Sequence, residues 1–407
     1  MSATLFYKRY AERACAVCGS TASKLLFRQT FSEMSSGSLL QGYDVVVCAE
    51  CGFGFADHIP YQADFDAHYR DMSKYEYQEQ GGQETGYDLI RFRAISDTII
   101  PFLPSLNARL LDIGCATGRL LALFKEKGYS NVIGLDPSPV CAQAAQRLYG
   151  IRVLTGSVSN ITEVMIAEQP LDCVILSGVL EHIRDVEQAL LQMRGLLAKS
   201  GLLFIEVPDA TDFSRWPDAP FQQFSTEHIN YFSTISLESL MRRRGFAKVL
   251  SQQIPRDQTL GTVMPVVTAI YRKEADIQPT DPVRDTETER GLADYVRKSE
   301  EVEDRIQRTI DSLVESARPI IVWGVGTHTL HLLTTSRLPQ ANIRTFVDSN
   351  PRYQGKQLNG IPIIDPADLQ ARSETILISS RVFQPVIEKQ IRDDLKLDNK
   401  VIKLYQL

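Results

Sequence analysis

The sequence predicts an α/β fold: a parallel, Rossmann-like sheet, with a small cysteine-held ribbon before it and a second Rossmann-like α/β unit after it. Three observations carry that prediction. Two Cys-x-x-Cys pairs lie near the start, in "RACAVCGS" and "VVVCAECGFG". From about Asp97 to Arg272, short apolar runs alternate with helical patterns, as the strands and helices of a parallel sheet do. A further strand, glycine turn and helix follow in "PIIVWGVGTHTLHLLTTS". At 407 residues the chain exceeds what one core organises. The expected division is a ribbon over 1–70, a central domain over 71–273, a linker and long helix over 274–317, and a C-terminal domain over 318–407.

The ribbon comes first. Two residues between cysteines let one tight knuckle aim both thiolates at a common point, and two knuckles complete a tetrahedral set. Cys15, Cys18, Cys48 and Cys51 fit a structural Zn2+ site, with the spacer between the pairs forming an inserted hairpin. Four cysteines leave no open position for catalysis at such a metal. A redox Cys-x-x-Cys would instead be a single pair beside a βαβ pattern. Cys115, Cys141 and Cys173 stand singly in apolar surroundings and read as buried, inert thiols.

Bulk properties narrow the partners. A formal charge of -6 lacks the basic excess of a nucleic-acid or anionic-membrane binder. No apolar run reaches the roughly 18–20 residues that span a bilayer. The first residues carry no apolar signal core, which reads as a cytoplasmic chain.

In the central unit, "ARLLDIGCATGRLLALFKEKG" places a strand ending at Asp112, a turn with Gly114 and Gly118, and an amphipathic helix. Glycines there let a backbone approach a ligand closely. "NVIGLDPSP" ends the next strand at Asp136, placed to accept from ribose hydroxyls. The spacing D-x-G-x-x-x-G differs from the dinucleotide fingerprint G-x-G-x-x-G. "IRVLTGSVSNI" supplies a third strand with Gly156 and Ser157 at its end. "LDCVILSGVLEHIRDVEQALLQMRGLLAKSGLLFIEVPD" gives a fourth strand, a helix and a fifth. Val186, Leu190, Met193 and Leu197 recur there at helical spacing and read as core.

These residues, with the Leu180-Glu181-His182 segment, resemble a class I S-adenosylmethionine-dependent methyltransferase. The resemblance implies the methionine part of the donor over the first turn, ribose at Asp136 and adenine near Gly156 to Val158. The order of ribbon, methyltransferase core and further α/β unit resembles, nearly end to end, the sugar C-methyltransferases that act on nucleotide-linked 4-keto-6-deoxysugars. Its most telling piece is "QQFSTEHINYFSTISLESLMRRRGF". The resemblance implies His228 as general base and Glu227 as its partner, with Tyr231 and His182 as candidate donors to the enolate oxygen. Read from residues alone, "EHINYF" is rather an amphipathic turn, with Ile229 and Phe232 inward and Glu227 and His228 solvated. Two positions depart from the family: Ser225 stands where Tyr is common, and Gly178 where Asn is common. Methylation of oxygen or nitrogen, on another nucleotide sugar or small metabolite, therefore stays open.

The segment between ribbon and core is rich in tyrosine. Tyr69, Tyr75 and Tyr77 read either as a lid near the substrate or as cement between domains. Near the C-terminus, Val302, Ile306, Ile310 and Leu313 stripe a long helix. The following Rossmann-like half has Thr329 in place of the third fingerprint glycine. The resemblance implies that this domain closes over the sugar nucleotide, with Gly324, Gly326, His328 and Asp348 as wall residues; the alternative is a scaffold without a ligand. An NAD-dependent sugar-modifying oxidoreductase, run by this unit, is the rival of another class.

Overall fold

The consecutive apolar residues of "GYDVVVC" bury a strand on both faces. In the computed structural model, β2 (Gly42–Cys48) lies between β1 (Ser23–Thr30) and β3 (Gly54–Asp57) in an antiparallel sheet. The described residues are all but 1–9, 34–38, 72–84, 162–169, 217, 260, 278–279 and 406–407. Helix α1 (Gln62–Asp71) leads away from the ribbon, and α2 (Gly86–Ile99) opens the central unit. Thr85 and Asp88 start α2 with a reciprocal capping box, which satisfies two backbone N–H groups.

The central sheet is built by β4 (Leu110–Ile113), β5 (Val132–Asp136), β6 (Val153–Thr155), β7 (Leu171–Ser177) and β8 (Leu197–Pro208). Helices α3 (Arg119–Glu126), α4 (Pro139–Tyr149) and α5 (Val186–Leu196) connect its strands. Ser138 caps α4, Pro139 opens it, and Gly150 closes it in the left-handed conformation. The chain then forms a two-residue strand β9 (Asn230–Tyr231), helix α6 (Thr234–Arg243) and a long hairpin of β10 (Phe246–Thr259) and β11 (Thr262–Lys273). The seven-stranded order is β10-β11-β8-β7-β4-β5-β6, with β11 antiparallel to β8 and the strands from β8 to β6 parallel. This is the class I methyltransferase, Rossmann-like arrangement. Its order reverses at β4, between β5 and β7, and such a switch point opens a ligand crevice at the carboxyl ends of the strands.

Helix α7 (Glu287–Ser316) buries Leu292, Tyr295, Ile306, Ile310 and Leu313 along one face. Gly291 lets it lie against the backbone of Ala210 and Thr211; a β-carbon there would sit 2.6 Å from Thr211 Cα. The last unit contains β12 (Ile320–Trp323), α8 (Thr327–Thr335), β13 (Ile343–Val347), β14 (Gln357–Leu358), β15 (Ile361–Ile364), β16 (Thr375–Ile378), α9 (Gln384–Lys389) and β17 (Val401–Lys403). Its sheet runs β14-β15-β13-β12-β16-β17, parallel except for β14.

The ribbon joins the other two units. One edge, β3, pairs with β9 from the central unit. At the other, Thr30 Oγ1 meets Thr334 Oγ1 of α8 at 2.9 Å, and Phe27 stacks on Phe221. Tyr43 and Val45 of the ribbon, Phe224 and Tyr231 of the central unit, Tyr295 of α7 and Leu330 of α8 share one apolar cluster. Among the described residues, no helix is long and apolar enough to cross a membrane.

Candidate active site and metal centre

The turn after β4 is built for close approach. Gly114 has φ of 71°, and a β-carbon there would lie 2.6 Å from Val179 Cγ2. Gly118 has φ of 78° and packs α3 onto Ala145 and Ile151. The carboxylate of Asp136 holds the turn in shape: Oδ2 accepts from the N–H of Ala116 at 2.8 Å, and Oδ1 from that of Ser138 at 2.9 Å. Its carbonyl accepts from Gly156 N–H at 3.0 Å, which joins a third loop to the same point. Asp112, Gly114, Gly118, Asp136 and Gly156 thus converge.

Asp112 is buried behind this turn. Burial first, and the neighbouring Asp136 second, push its carboxyl up to about 8 against the opposing pull of Arg91. A cationic ligand would oppose that shift and favour the ionised carboxylate, and a sulfonium donor is cationic. The cradle a side chain would fill, together with this carboxyl, fits S-adenosylmethionine. Beyond β6, the hydroxyls of Ser157 and Ser159 lie 2.7 Å apart, and Ser159 bonds Asp66 of α1. Asp66, Val158, Ser159, Ile183 and Gln188 line a cleft of about 190 Å3 there.

A tight turn over Leu180–His182 follows β7 and carries the imidazole cluster. His182 Nδ1 lies 3.1 Å from the carbonyl of Glu227 and 3.0 Å from the hydroxyl of Tyr69. A carbonyl only accepts, so the geometry assigns the proton to Nδ1 and makes Nε2 the basic atom of a neutral ring. That Nε2 is 3.8 Å from Glu181 Oε1. The rings of His182 and His228 meet edge to face at 4.9 Å. Burial first, then Glu227 and Glu181, raise the Tyr69 hydroxyl well above its ordinary range, so it stays protonated. Tyr75 and Tyr77 lie outside the described residues.

Backbone bonds fix the two histidine segments together. Ser225 Oγ accepts from the N–H groups of Glu227 at 3.2 Å and His228 at 3.0 Å. Ile229 N–H donates to Glu181 O at 2.9 Å. The amide nitrogen of Asn230 donates to Leu180 O at 3.1 Å and Ile183 O at 2.7 Å. From the ribbon, buried Arg13 donates to the carbonyls of Ala56, Ile229 and Arg184 and to Asn230 Oδ1. Tyr231 is elsewhere. It is 1% exposed, and its hydroxyl donates within the core, 3.2 Å from His228 O and 3.3 Å from Tyr43 Oη.

Arg13 and Asn230 are site-building residues that the sequence reading passed over, as is Glu206, which accepts from Arg91 Nε at 2.8 Å and Arg256 Nη2 at 2.9 Å. Glu206 had a visible signal: one carboxylate within the apolar run "LLFIEVP" of a central strand, where a charge needs a partner.

At the ribbon, Cys15 Sγ and Cys51 Sγ are 3.5 Å apart, and Cys18 Sγ and Cys48 Sγ are 3.4 Å apart. All four sulfurs lie within 4.8 Å of one another, an arrangement compatible with one tetrahedral metal ion. Glu181, His182 and His228 form a second grouping of that span. Cys115, Cys141 and Cys173 are buried.

In the C-terminal unit, Asp348 repeats the device of Asp136. Its Oδ2 accepts from Val325 N–H and its Oδ1 from Asn350 N–H, both at 2.9 Å. The Thr329 hydroxyl donates to the carbonyl of Gly324 at 2.8 Å and lies 2.7 Å from Ser379 Oγ, bracing the turn from within. His328 is 3% exposed and faces Tyr405 inside the unit, with Nδ1 2.5 Å from that hydroxyl, so it forms core rather than cleft wall.

Two stretches of the chain match known family models. Residues 87–251 match the methyltransferase domain family model, and residues 316–402 match one described as C2185-like, N-terminal. The C-methyltransferase NovU of Streptomyces niveus is 24% identical over 343 residues, covering 82% of this chain and 78% of NovU. The tRNA U34 carboxymethyltransferase of Vibrio cholerae is 27% identical over 163 residues, 38% of this chain and 49% of that protein. Among solved structures, the 1,6-didemethyltoxoflavin-N1-methyltransferase of Burkholderia thailandensis, with S-adenosylhomocysteine bound, is 22% identical. It covers 56% of this chain and 96% of its own, with a TM-score of 0.41. The matched domain spans the glycine turn, the strand-end carboxylates and the Leu180–His182 turn, and the protein is an S-adenosylmethionine-dependent methyltransferase.

Proposed function

We propose that this methyltransferase forms a carbon–carbon bond, methylating the carbon beside the ketone of a nucleotide-linked keto-deoxysugar through an enolate, in antibiotic or polysaccharide sugar biosynthesis. The observation that carries the reading is the juxtaposition of two imidazoles with the donor turn. Gly114 contacts Val179, two residues further lies Glu181, and His182 and His228 meet edge to face beside it. When bound, S-adenosylmethionine supplies a methyl group on a sulfonium, held by Asp112, Gly114, Gly118, Asp136, Gly156 and Ser157.

The chain's own residues perform the proton step. A carbon beside a ketone becomes nucleophilic on losing its α-proton, and an imidazole with an ordinary value of about 6.5 suits that removal near neutrality. His228 is the base. Glu227 follows Ser225, whose hydroxyl orders both backbone N–H groups, so the serine that departs from the family sets the base in place. His182, with its proton fixed on Nδ1, and Tyr69 complete the wall. Tyr231 acts through the backbone of His228 as a positioning residue. Zn2+ at Cys15, Cys18, Cys48 and Cys51 holds the ribbon against which this wall is built.

The test offers a panel of nucleotide-linked keto sugars with isotopically labelled methyl donor, with products read by mass spectrometry. Label on carbon is expected. His228→Asn should lower transfer roughly 10²–10⁴-fold with donor affinity nearly unchanged; full turnover by this variant would remove His228 from the base role, and label on oxygen or nitrogen would overturn the C-methylation reading.

A further inference from the structure

One guanidinium lies against the backbone of Gly178, at the turn that leads from β7 to His182. Arg91 reaches from α2 to the ends of β7 and β8, where its Nε donates to Glu206 Oε1 and its Nη2 to Ser177 Oγ, each at 2.8 Å. Glu206 is 1% exposed and also accepts from Arg256 Nη2 at 2.9 Å and the Thr268 hydroxyl at 3.1 Å. Burial acts to raise this carboxyl, but Arg91 and Arg256 outweigh it and hold the group below its ordinary value. Two cations therefore share one buried carboxylate. The Arg91 side chain keeps 28% of its exposure, whereas the Glu206 side chain keeps 1%.

Gly178 gives this cation its place. Its φ is 71°, and a β-carbon there would lie 3.2 Å from Arg91 Nη2 and 3.7 Å from Glu181 Oε1. The guanidinium thus covers bare backbone four residues before His182. Glu206 and Ser177 fix the guanidinium plane in advance, and arginine keeps its charge at any working pH.

We propose that Arg91 is a catalytic residue that binds the keto oxygen of the acceptor and stabilises the charge developing there on enolisation. This rests on the C-methylation reading. His228 takes the α-proton, the C–H pair becomes the carbon–carbon π bond, and the carbonyl π pair moves onto the oxygen facing the guanidinium. Return of a proton from His228 reverses the step. In heavy water, without methyl donor, the α-carbon therefore acquires deuterium. A fixed cation where charge appears contributes most to such a step, because nothing must reorganise as the charge forms.

The experiment measures that deuterium exchange on nucleotide-linked keto sugars, beside donor affinity and thermal midpoint, for the full chain. Arg91→Gln should slow exchange roughly 10²–10³-fold while donor affinity stays within about threefold. Arg91→Lys should recover part of the rate by restoring charge without the planar fork. Arg256→Gln, which unsettles Glu206 from its other side, should lower the thermal midpoint but slow exchange less than about tenfold. Exchange by Arg91→Gln at the unsubstituted rate, or an equal loss in Arg256→Gln, overturns the assignment while C-methylation stands. An unsubstituted enzyme that neither exchanges nor methylates carbon overturns both.

Discussion

Asp112 illustrates how a single buried group couples charge to binding. Its carboxyl is raised to about 8, chiefly by burial, against about 3.9 for an exposed aspartic acid. The folded chain therefore retains a proton that the unfolded chain surrenders, so this contribution to stability is full below about pH 4 and is lost as pH rises through about 8. At pH 7 the carboxyl is largely protonated, and a cationic donor favours its ionised form. Donor binding at pH 7 should release a proton from this site, seen as a dependence of calorimetric heat on the ionisation enthalpy of the buffer. Asp112→Asn should remove that dependence and weaken binding; an unchanged proton release in the variant would locate the proton elsewhere. Arg13 is the complementary case. Its spacing from any motif is unremarkable, yet it donates to four acceptors from two units.

At the scale of elements, β9 has only two residues and derives its position from its neighbours. It completes the ribbon sheet through Gly54–Tyr231 and Phe55–Asn230, and Ile229 O accepts from Ala56 N–H at 2.9 Å. A strand that short does not hold itself. The second cysteine knuckle is clasped too: Asp285 N–H donates to Cys51 O at 2.8 Å, and a β-carbon on Gly52 would fall on the Asp285 carbonyl. Metal at the ribbon should therefore support methyl transfer from a distance. Elemental analysis should find about one zinc per chain, given four cysteine ligands. Stripping it with a chelator, or Cys48→Ser, should abolish transfer and also lower the thermal midpoint, because Cys15, Cys48, Cys51, Phe53 and Phe55 share one apolar cluster with Leu111, Leu135, Val174 and Leu203 of the central sheet. Full transfer by metal-free protein would break that link. In the "EHINYF" segment, Ile229 and Phe232 are buried, as an amphipathic turn requires, while Glu227 and His228 are half-buried and His228 packs against His182.

Across the whole molecule, the expected division into units conceals one shared interior. Helix α8 packs on β1, and His331 lies against Phe27 and Phe221, with ring centroids at 6.4 and 5.1 Å. Beside it, burial first and the neighbouring His331 second hold His328 well below the ordinary imidazole range. The unfolded chain takes up a proton there near pH 6.5 and the folded chain does not. Stability from this site is thus full above about 6.5 and is lost as pH falls below it, by up to about 1.4 kcal/mol per pH unit. The thermal midpoint should decline between pH 6.5 and 5, and His328→Gln should flatten that decline; an identical decline in the variant would assign it to other groups.

What the sequence determined by itself is local. Paired cysteines, a strand ending in a carboxylate before glycines, and apolar residues at helical spacing are patterns within a few residues, and each follows from backbone geometry or burial. They were sufficient for the α/β class, the glycine turn after β4 and the gathering of the four sulfurs. Only the tertiary structure brought Arg91 over Gly178, set His182 against His228, sent the Tyr231 hydroxyl inward, and placed Arg13 under the β9 segment. Those juxtapositions depend on long-range register and on which buried carbonyl or carboxylate needs a donor, and the partners lie too far apart along the chain for any local pattern to record them.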